Sequence, residues 1–214
     1  MRSLFVLTCF VSAMLQQPGA KVMFYDPADV AAVAVPASPS AAKLRPIAFV
    51  ESFPAHGHVG IHYWFETESG VRVTESGASA LGGYFTLHIR NNVGGGFLTV
   101  WLMSGQDGRQ LTPMEGQYTG YHMSHSEYVV PEGIQLSPGD SEKHVLVVYG
   151  RSQTEQVRNG AGARQKLALI SSWTGPHGPK LIRETDDATP GQIGTYIVNQ
   201  DGGPLAVEIV LRPR

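Results

Sequence analysis

Three of the chain's eight histidines, His56, His58 and His62, fall within seven residues, and a second group, His122 and His125, brackets Met123. Imidazole is a good ligand for zinc or copper, and a thioether adds a soft donor. The five histidines therefore admit a metal-dependent enzyme or a metal-binding protein. On an extended strand His56, His58 and His62 share one face, because side chains alternate. His122 and His125, three apart, align only on a helix. Against a metal site, no H-E-x-x-H or equivalent is present, and a closed zinc site asks for four ligands that include cysteine or carboxylate. Histidines that are exposed, or hydrogen-bonded for structure, are the more economical reading, so no cofactor is assigned.

A nucleophile is harder to find. There is no G-x-S-x-G, and Cys9 is the only cysteine. Gly94-Gly95-Gly96 lacks the Lys and Ser or Thr of a phosphate-binding loop and precedes a strand pattern, which makes it a turn. The carboxylates Glu66, Glu68, Glu75, Glu115, Glu127, Asp140, Asp186 and Asp187 are scattered, and spacing alone does not set two of them across a cleft as glycoside hydrolysis requires. No catalytic residue is therefore named. The aromatic residues Trp64, Trp101, Tyr118, Tyr121 and Tyr128 are candidate binding residues, since each offers a large contact area with a polar edge. Exposed indoles at Trp64 or Trp101 would suit carbohydrate. Ordinary packing is the competing reading, and alternation allows at most one of Tyr63 and Trp64 into the core.

The elements that must carry these residues are strands. VGIHYWFET (59–67), YFTLHIRN (84–91) and FLTVWLM (97–103) are apolar runs of strand length separated by turns. In the first, Val59, Ile61, Tyr63 and Phe65 share one face and His62, Trp64 and Glu66 the other. In the second, Phe85, Leu87 and Ile89 oppose Thr86, His88 and Arg90, which predicts one wet face. Phe97 to Met103 and Val145 to Tyr149 are apolar on both faces, as strands central to their sheets are. Glu68-Ser69-Gly70 predicts a hairpin to a strand at Val71–Glu75, and Gly105-Gln106-Asp107-Gly108 predicts a tight turn. Residues 113–143, rich in Pro and Gly, form an irregular excursion of the kind that carries function. Ser152-Gln153-Thr154-Glu155 matches a capping box and predicts a helix start. Gly160 and Gly162 predict a break before the helix resumes at Arg164–Ser172. Tyr196–Val198 and Leu205–Leu211, around Gln200-Asp201-Gly202-Gly203, predict a terminal hairpin.

Composition agrees with a β-rich domain: 42% hydrophobic residues, with 25 Gly and 14 Pro that favour turns over long helices. A net charge of −2 supplies no basic field for phosphate backbones, so nucleic acid is not an expected partner. Residues 1–20 read as a secretory signal, with Arg2 as the positive end and Leu4–Val11 as the apolar run. Pro18-Gly19-Ala20 is the cleavage site that length favours, and Val11-Ser12-Ala13 the one that local pattern favours. The run is too short to span a bilayer. With Cys9 inside the signal, the mature chain has no disulfides. Too few residues precede Cys9 for a lipoprotein signal. Residues 21–44 form an Ala/Pro-rich linker, and 45–214 form the folded domain.

The runs VGIHYWFETESGVRVTE, FTLHIRNN and FLTVWLMSGQDGRQLTP, with Asp107, Gly108, Leu111 and Pro113 in the last, together resemble the bacterial family called domain of unknown function 4384. The closing TYIVNQDGGPLAVEIVLR also looks like the C-terminal hairpin of its exported members. The similarity spans roughly residues 58–212. It implies a β-sandwich-like module of exported or surface-associated bacterial proteins, with no catalytic residues to carry over. Gly94-Gly95-Gly96-Phe97 departs from the family's single Gly followed by an aromatic.

The expected fold is thus all-β, an antiparallel β-sandwich-like (immunoglobulin-like) domain with one short helix. The expected function is that of an exported, periplasmic or extracellular, non-catalytic module. It would bind an envelope or extracellular protein through a sheet face or the 113–143 excursion. A metal-dependent enzyme or metal-binding protein, and a carbohydrate-binding module, are the alternatives.

Overall fold

The structure, a computed structural model, describes residues 19–25, 58–92, 96–104, 107–112, 121–122, 126–150, 160–171, 174–175, 178–179 and 181–213. Its core is an antiparallel β-sandwich. The larger sheet has seven strands: β1 (Val59–Thr67), β2 (Arg72–Val73), β3 (Gly83–Asn91), β7 (Glu127–Val129), β8 (Ile134–Leu136), β12 (Leu181–Asp186) and β13 (Gly194–Asn199). Its main path is β12-β13-β1-β3-β7, with β2 on β1 and β8 on β3. The five-stranded sheet has β4 (Gly96–Ser104), β5 (Asp107–Thr112), β6 (Tyr121–His122), β9 (Lys143–Gly150) and β14 (Leu205–Leu211), in the path β14-β9-β4-β5 with β6 on β4. β10 (Thr174–Gly175) and β11 (Gly178–Pro179) form a separate two-stranded ribbon.

Alternation builds the interior. Val59, Ile61, Tyr63 and Phe65 from β1, Phe85, Leu87 and Ile89 from β3, and Ile197 from β13 meet Leu98, Val100, Val145, Val147, Tyr149, Leu205, Val207, Ile209 and Leu211 of the facing sheet. As expected, β4 and β9 lie inside their sheet, each paired on both sides. The hairpin from β1 to β2 forms at Glu68–Gly70, with Thr67 N–H donating to the Val71 carbonyl at 3.0 Å and Gly70 at φ 78°. β5 returns directly along β4 from Ser104 opposite Asp107.

Three helices are described where one was expected. α1 (Ala20–Phe24) packs Ala20, Met23 and Phe24 onto Tyr196 and Val198, on the face of the seven-stranded sheet that points away from the interior. The opening residues of the expected linker are therefore helical and packed. The rest of that linker, and residues 1–18 of the expected signal, lie outside the described residues. The strand expected at Val71–Glu75 is only two residues long, Arg72–Val73, and α2 (Glu75–Leu81) begins at its last residue. The Thr74 hydroxyl accepts from Gly77 N–H and caps it, so Thr74→Ala should lower stability by about 1 kcal/mol in urea unfolding. α3 (Gly160–Ser171) begins at Gly160 and runs through Gly162 without a break before Arg164; the capping box lies outside the described residues. Leu167 on α3 packs against Trp101, Met103 and Leu146, and against Val148 and Ala206. Such burial outweighs the roughly 1 kcal/mol that a helical glycine costs.

The terminal hairpin is not formed. β13 pairs with β1 and β12, whereas β14 pairs with β9 in the other sheet. Residues 200–204 carry the chain between layers, held by Asn199 Nδ2 donating to the Pro204 carbonyl at 3.0 Å. Both strands bury apolar side chains on facing layers, which a two-stranded hairpin in one sheet would leave side by side. Tyr63 enters the core between the sheets, as alternation allows for one of the pair, and Trp64 is buried on the outer face under Arg72 and beside His62 and His88.

Candidate functional site

The chemistry-bearing side chains converge on the outer face of the seven-stranded sheet. Register explains how. His62 on β1 lies directly opposite Tyr196 on β13 and Arg90 on β3, and Trp64 lies opposite His88. Directly opposed residues share a face, so alternation along β1 and β3 extends into a ladder across three strands. The His62 and Tyr196 rings stack at 4.1 Å with 2° between planes, His62 and Trp64 lie 4.9 Å apart, and Trp64 stacks on His88 at 5.2 Å. The Arg72 guanidinium, from β2, roofs the Trp64 ring at 4.2 Å.

One end of the ladder is sealed by α1. Phe24 meets both His62 and Tyr196 edge to face, and the Tyr25 and Tyr196 hydroxyls lie 3.3 Å apart. Gly19 offers no capping side chain, and Glu184 of β12 supplies the acceptor for Lys21 N–H at 2.9 Å. The Lys21 ammonium pairs with Asp186 and, with Asp186's bonds to Ala188 and Thr189 N–H, holds that carboxyl well below the usual carboxylate range. His62 is 1% exposed, and neither ring nitrogen completes a hydrogen bond. Burial lowers its pKa to about 4; the backbone of Ile193 opposes this in part, while Arg90 and Arg72 add to it.

The other end is half open. His88 Nδ1 bonds Glu127 Oε1 at 2.9 Å and its Nε2 lies 3.8 Å from Glu66 Oε2, while Arg90 Nη2 reaches Glu127 at 3.5 Å. Val129, two residues beyond Glu127 on β7 and opposite His88, is 45% exposed. Charged groups of both signs thus surround an aromatic floor.

The residues singled out from sequence divide accordingly. His62 and Trp64 lie in the ladder. His58 stands apart, its Nδ1 3.0 Å from the Gln200 carbonyl. Tyr121 and His122 are placed as β6, opposite Phe97 and Gly96. His56, Tyr118 and His125 lie outside the described residues. Tyr128 faces inward and its hydroxyl lies 2.5 Å from Thr112 Oγ1. Trp101 is 4% exposed beneath α3, and Trp64 is fully buried, so neither indole offers carbohydrate a platform. Among the described residues no group of three or more His, Cys, Asp or Glu side chains converges as a metal site. His62 is not placed to ligate a metal, being sealed by rings. Sequence reasoning passed over Tyr196, Arg72, His88 and α1. Alternation already placed His88 and Arg90 on one face; nothing local placed Tyr196 beside His62.

A second cluster ties the sandwich rim. Tyr63 O–H donates to Glu75 on α2 at 2.8 Å, and Arg183 Nη2 on β12 donates to the same hydroxyl at 2.9 Å and to the Glu75 carboxylate. Burial, with Glu75 beside it, pushes the Tyr63 hydroxyl well above its ordinary range. The interior also holds a cavity of ≈ 10 Å³ between Ile61, Leu98, Asn91 and Tyr149, room for about one water molecule.

Compared with protein-family models, curated proteins and solved structures, the chain matches none.

Proposed function

We propose that the chain is an exported, non-catalytic β-sandwich module that binds an envelope or extracellular protein. Its contact surface is the half of the outer sheet face that α1 leaves open. The observation that carries this is exposed Val129 on β7, bordered on the same face by the charged groups of Glu127, Arg90 and Glu66 and by Arg72 over the covered Trp64 ring. An exposed apolar side chain set among charges of both signs suits a protein contact, and alternating charge sets register between partners. Two sequence expectations meet there, because β7 belongs both to the sheet face and to the 113–143 excursion. The export reading rests on residues 1–20, and the kinship with domain of unknown function 4384 on the strand patterns. Among the described residues, no helix is long and apolar enough to cross a membrane.

A photocrosslinking residue at position 129, tested in the envelope fraction of the producing cell, should yield one adduct of defined mass. Leu81, 65% exposed at the end of α2, is the control position. Adding Glu127→Arg should reduce the position-129 adduct at least tenfold with the fold intact by circular dichroism. Equal adducts from both positions, or an adduct indifferent to Glu127→Arg, would remove this surface from consideration.

A further inference from the structure

We infer that, in the chain that keeps residues 19–25, as cleavage at Ala13 would leave it, α1 is an acid-released latch: protonation of His62 expels those residues from the outer face of the seven-stranded sheet and uncovers the Tyr196–His62 stack.

The geometry makes His62 intolerant of a proton. Its ring is enclosed by Phe24, Tyr196 and Trp64, and neither nitrogen has a hydrogen-bond partner. An imidazolium has two N–H donors; the Ile193 backbone favours one of them in part, and the other would be buried without an acceptor. The charged groups around it do not compensate. Arg72 from β2 and Arg90 from β3 repel a cation there. Asp186 on β12 attracts it, but already carries Lys21 of α1; Glu184 is engaged by Lys21 N–H, and Tyr25 and Tyr196 contribute only neutral hydroxyls. Protonation therefore needs water at the ring.

Of the covering groups, α1 is the one that can leave. Tyr196 and Trp64 belong to paired strands, whereas α1 contributes five helical residues, joined to β1 through residues 26–57. A helix that short does not persist alone in water, so undocking and unravelling are one event. Its hold consists of the Ala20, Met23 and Phe24 contacts, the Lys21–Asp186 pair, the Glu184 cap and the Tyr25–Tyr196 contact.

The sign follows from the two states. With α1 docked, His62 stays neutral until about pH 4; with α1 released, it takes up a proton near the ordinary histidine value of about 6.5. Docking is therefore strongest above pH 6.5 and weakens as pH falls towards 4. Between pH 7.5 and pH 5 the release constant rises by up to about 25-fold. Asp186, held far below this window by Lys21, keeps its charge throughout.

Hydrogen–deuterium exchange on the full chain, corrected for intrinsic rates, tests this. Protection of Lys21–Tyr25 should fall by up to about 25-fold from pH 7.5 to pH 5, while amides of β1 and β13 stay protected. His62→Phe, or His62→Gln if the first does not fold, should hold the α1 change below about threefold. The latch is overturned by an α1 protection that ignores pH, by an equal fall in the His62 variants, or by β1 and β13 losing protection together with α1, which would be whole-domain unfolding.

Discussion

Trp64→Ala should destabilise the domain by about 3–5 kcal/mol, the range for truncating a large buried aromatic. The indole is fully buried, with Arg72 above it, His88 stacked beside it and His62 within 4.9 Å. Its removal leaves a hole bordered by two β1–β3 partners that are fixed by strand pairing, so the site has little freedom to collapse. Trp64→Phe is the informative companion. Trp64 Nε1 has no hydrogen-bond partner, so the phenyl ring forfeits volume but no polar contact, and the loss should stay below about 2 kcal/mol. Arg72→Ala should cost only about 0.5–1 kcal/mol, as a cation–π contact at a partly exposed site does. Urea unfolding followed by circular dichroism orders the three. A Trp64→Ala loss no larger than that of Arg72→Ala would mean that the ladder contributes no packing of consequence.

Gly194→Ala should be nearly as severe, at about 2–5 kcal/mol, for two reasons that add. The residue has φ 146°, a region essentially closed to side chains, which alone costs about 1–3 kcal/mol. A Cβ there would also lie 2.4 Å from His62 Nε2 and 2.4 Å from the Tyr63 carbonyl oxygen. The imidazole has Tyr196 on one side and Trp64 on the other, and the carbonyl belongs to a paired strand, so neither can retreat cheaply. Gly191 is the control: its φ is 75° with nothing within 4 Å of an added Cβ, so Gly191→Ala carries the backbone cost alone, about 1 kcal/mol. Thermal midpoints of the two variants should separate by several degrees. Equal midpoints would show that the close approach at His62 relaxes freely.

Much of the architecture was legible along the chain. The period of two in residues 59–65 and 85–89 assigned the inward faces correctly, because a half-buried strand must alternate. The apolar runs at 97–103 and 145–149 marked the central strands of the second sheet, because only a strand covered on both faces can be apolar throughout. Local signals failed where a distant partner decided the outcome. Thr74 caps a helix in a stretch that read as strand, and α2 is held there by Glu75 meeting Tyr63 and Arg183, the latter 108 residues away. Gly160 and Gly162 read as a helix break, yet Leu167 packs on apolar side chains of three strands, β4, β9 and β14, and α3 is continuous across Gly162. The candidate site shows the same division. His62 and Trp64 stood out as a polar-aromatic pair on one face of β1, but His62 is covered by Phe24 of α1, whose composition resembles a linker, and Trp64 by Arg72 of β2.

From the amino-acid order alone follow the fold class, the faces of β1 and β3, the central strands of the smaller sheet and the absence of any disulfide within the chain. These are properties of single segments, set by side-chain alternation and by a lone cysteine. Tertiary structure alone decided that β13 lies beside β1 while β14 joins the other sheet, and so that Tyr196 stacks on His62. It also decided that a five-residue helix covers them. Periodicity encodes which way a side chain points, but pairing between strands more than a hundred residues apart is settled by the packing of the whole sandwich.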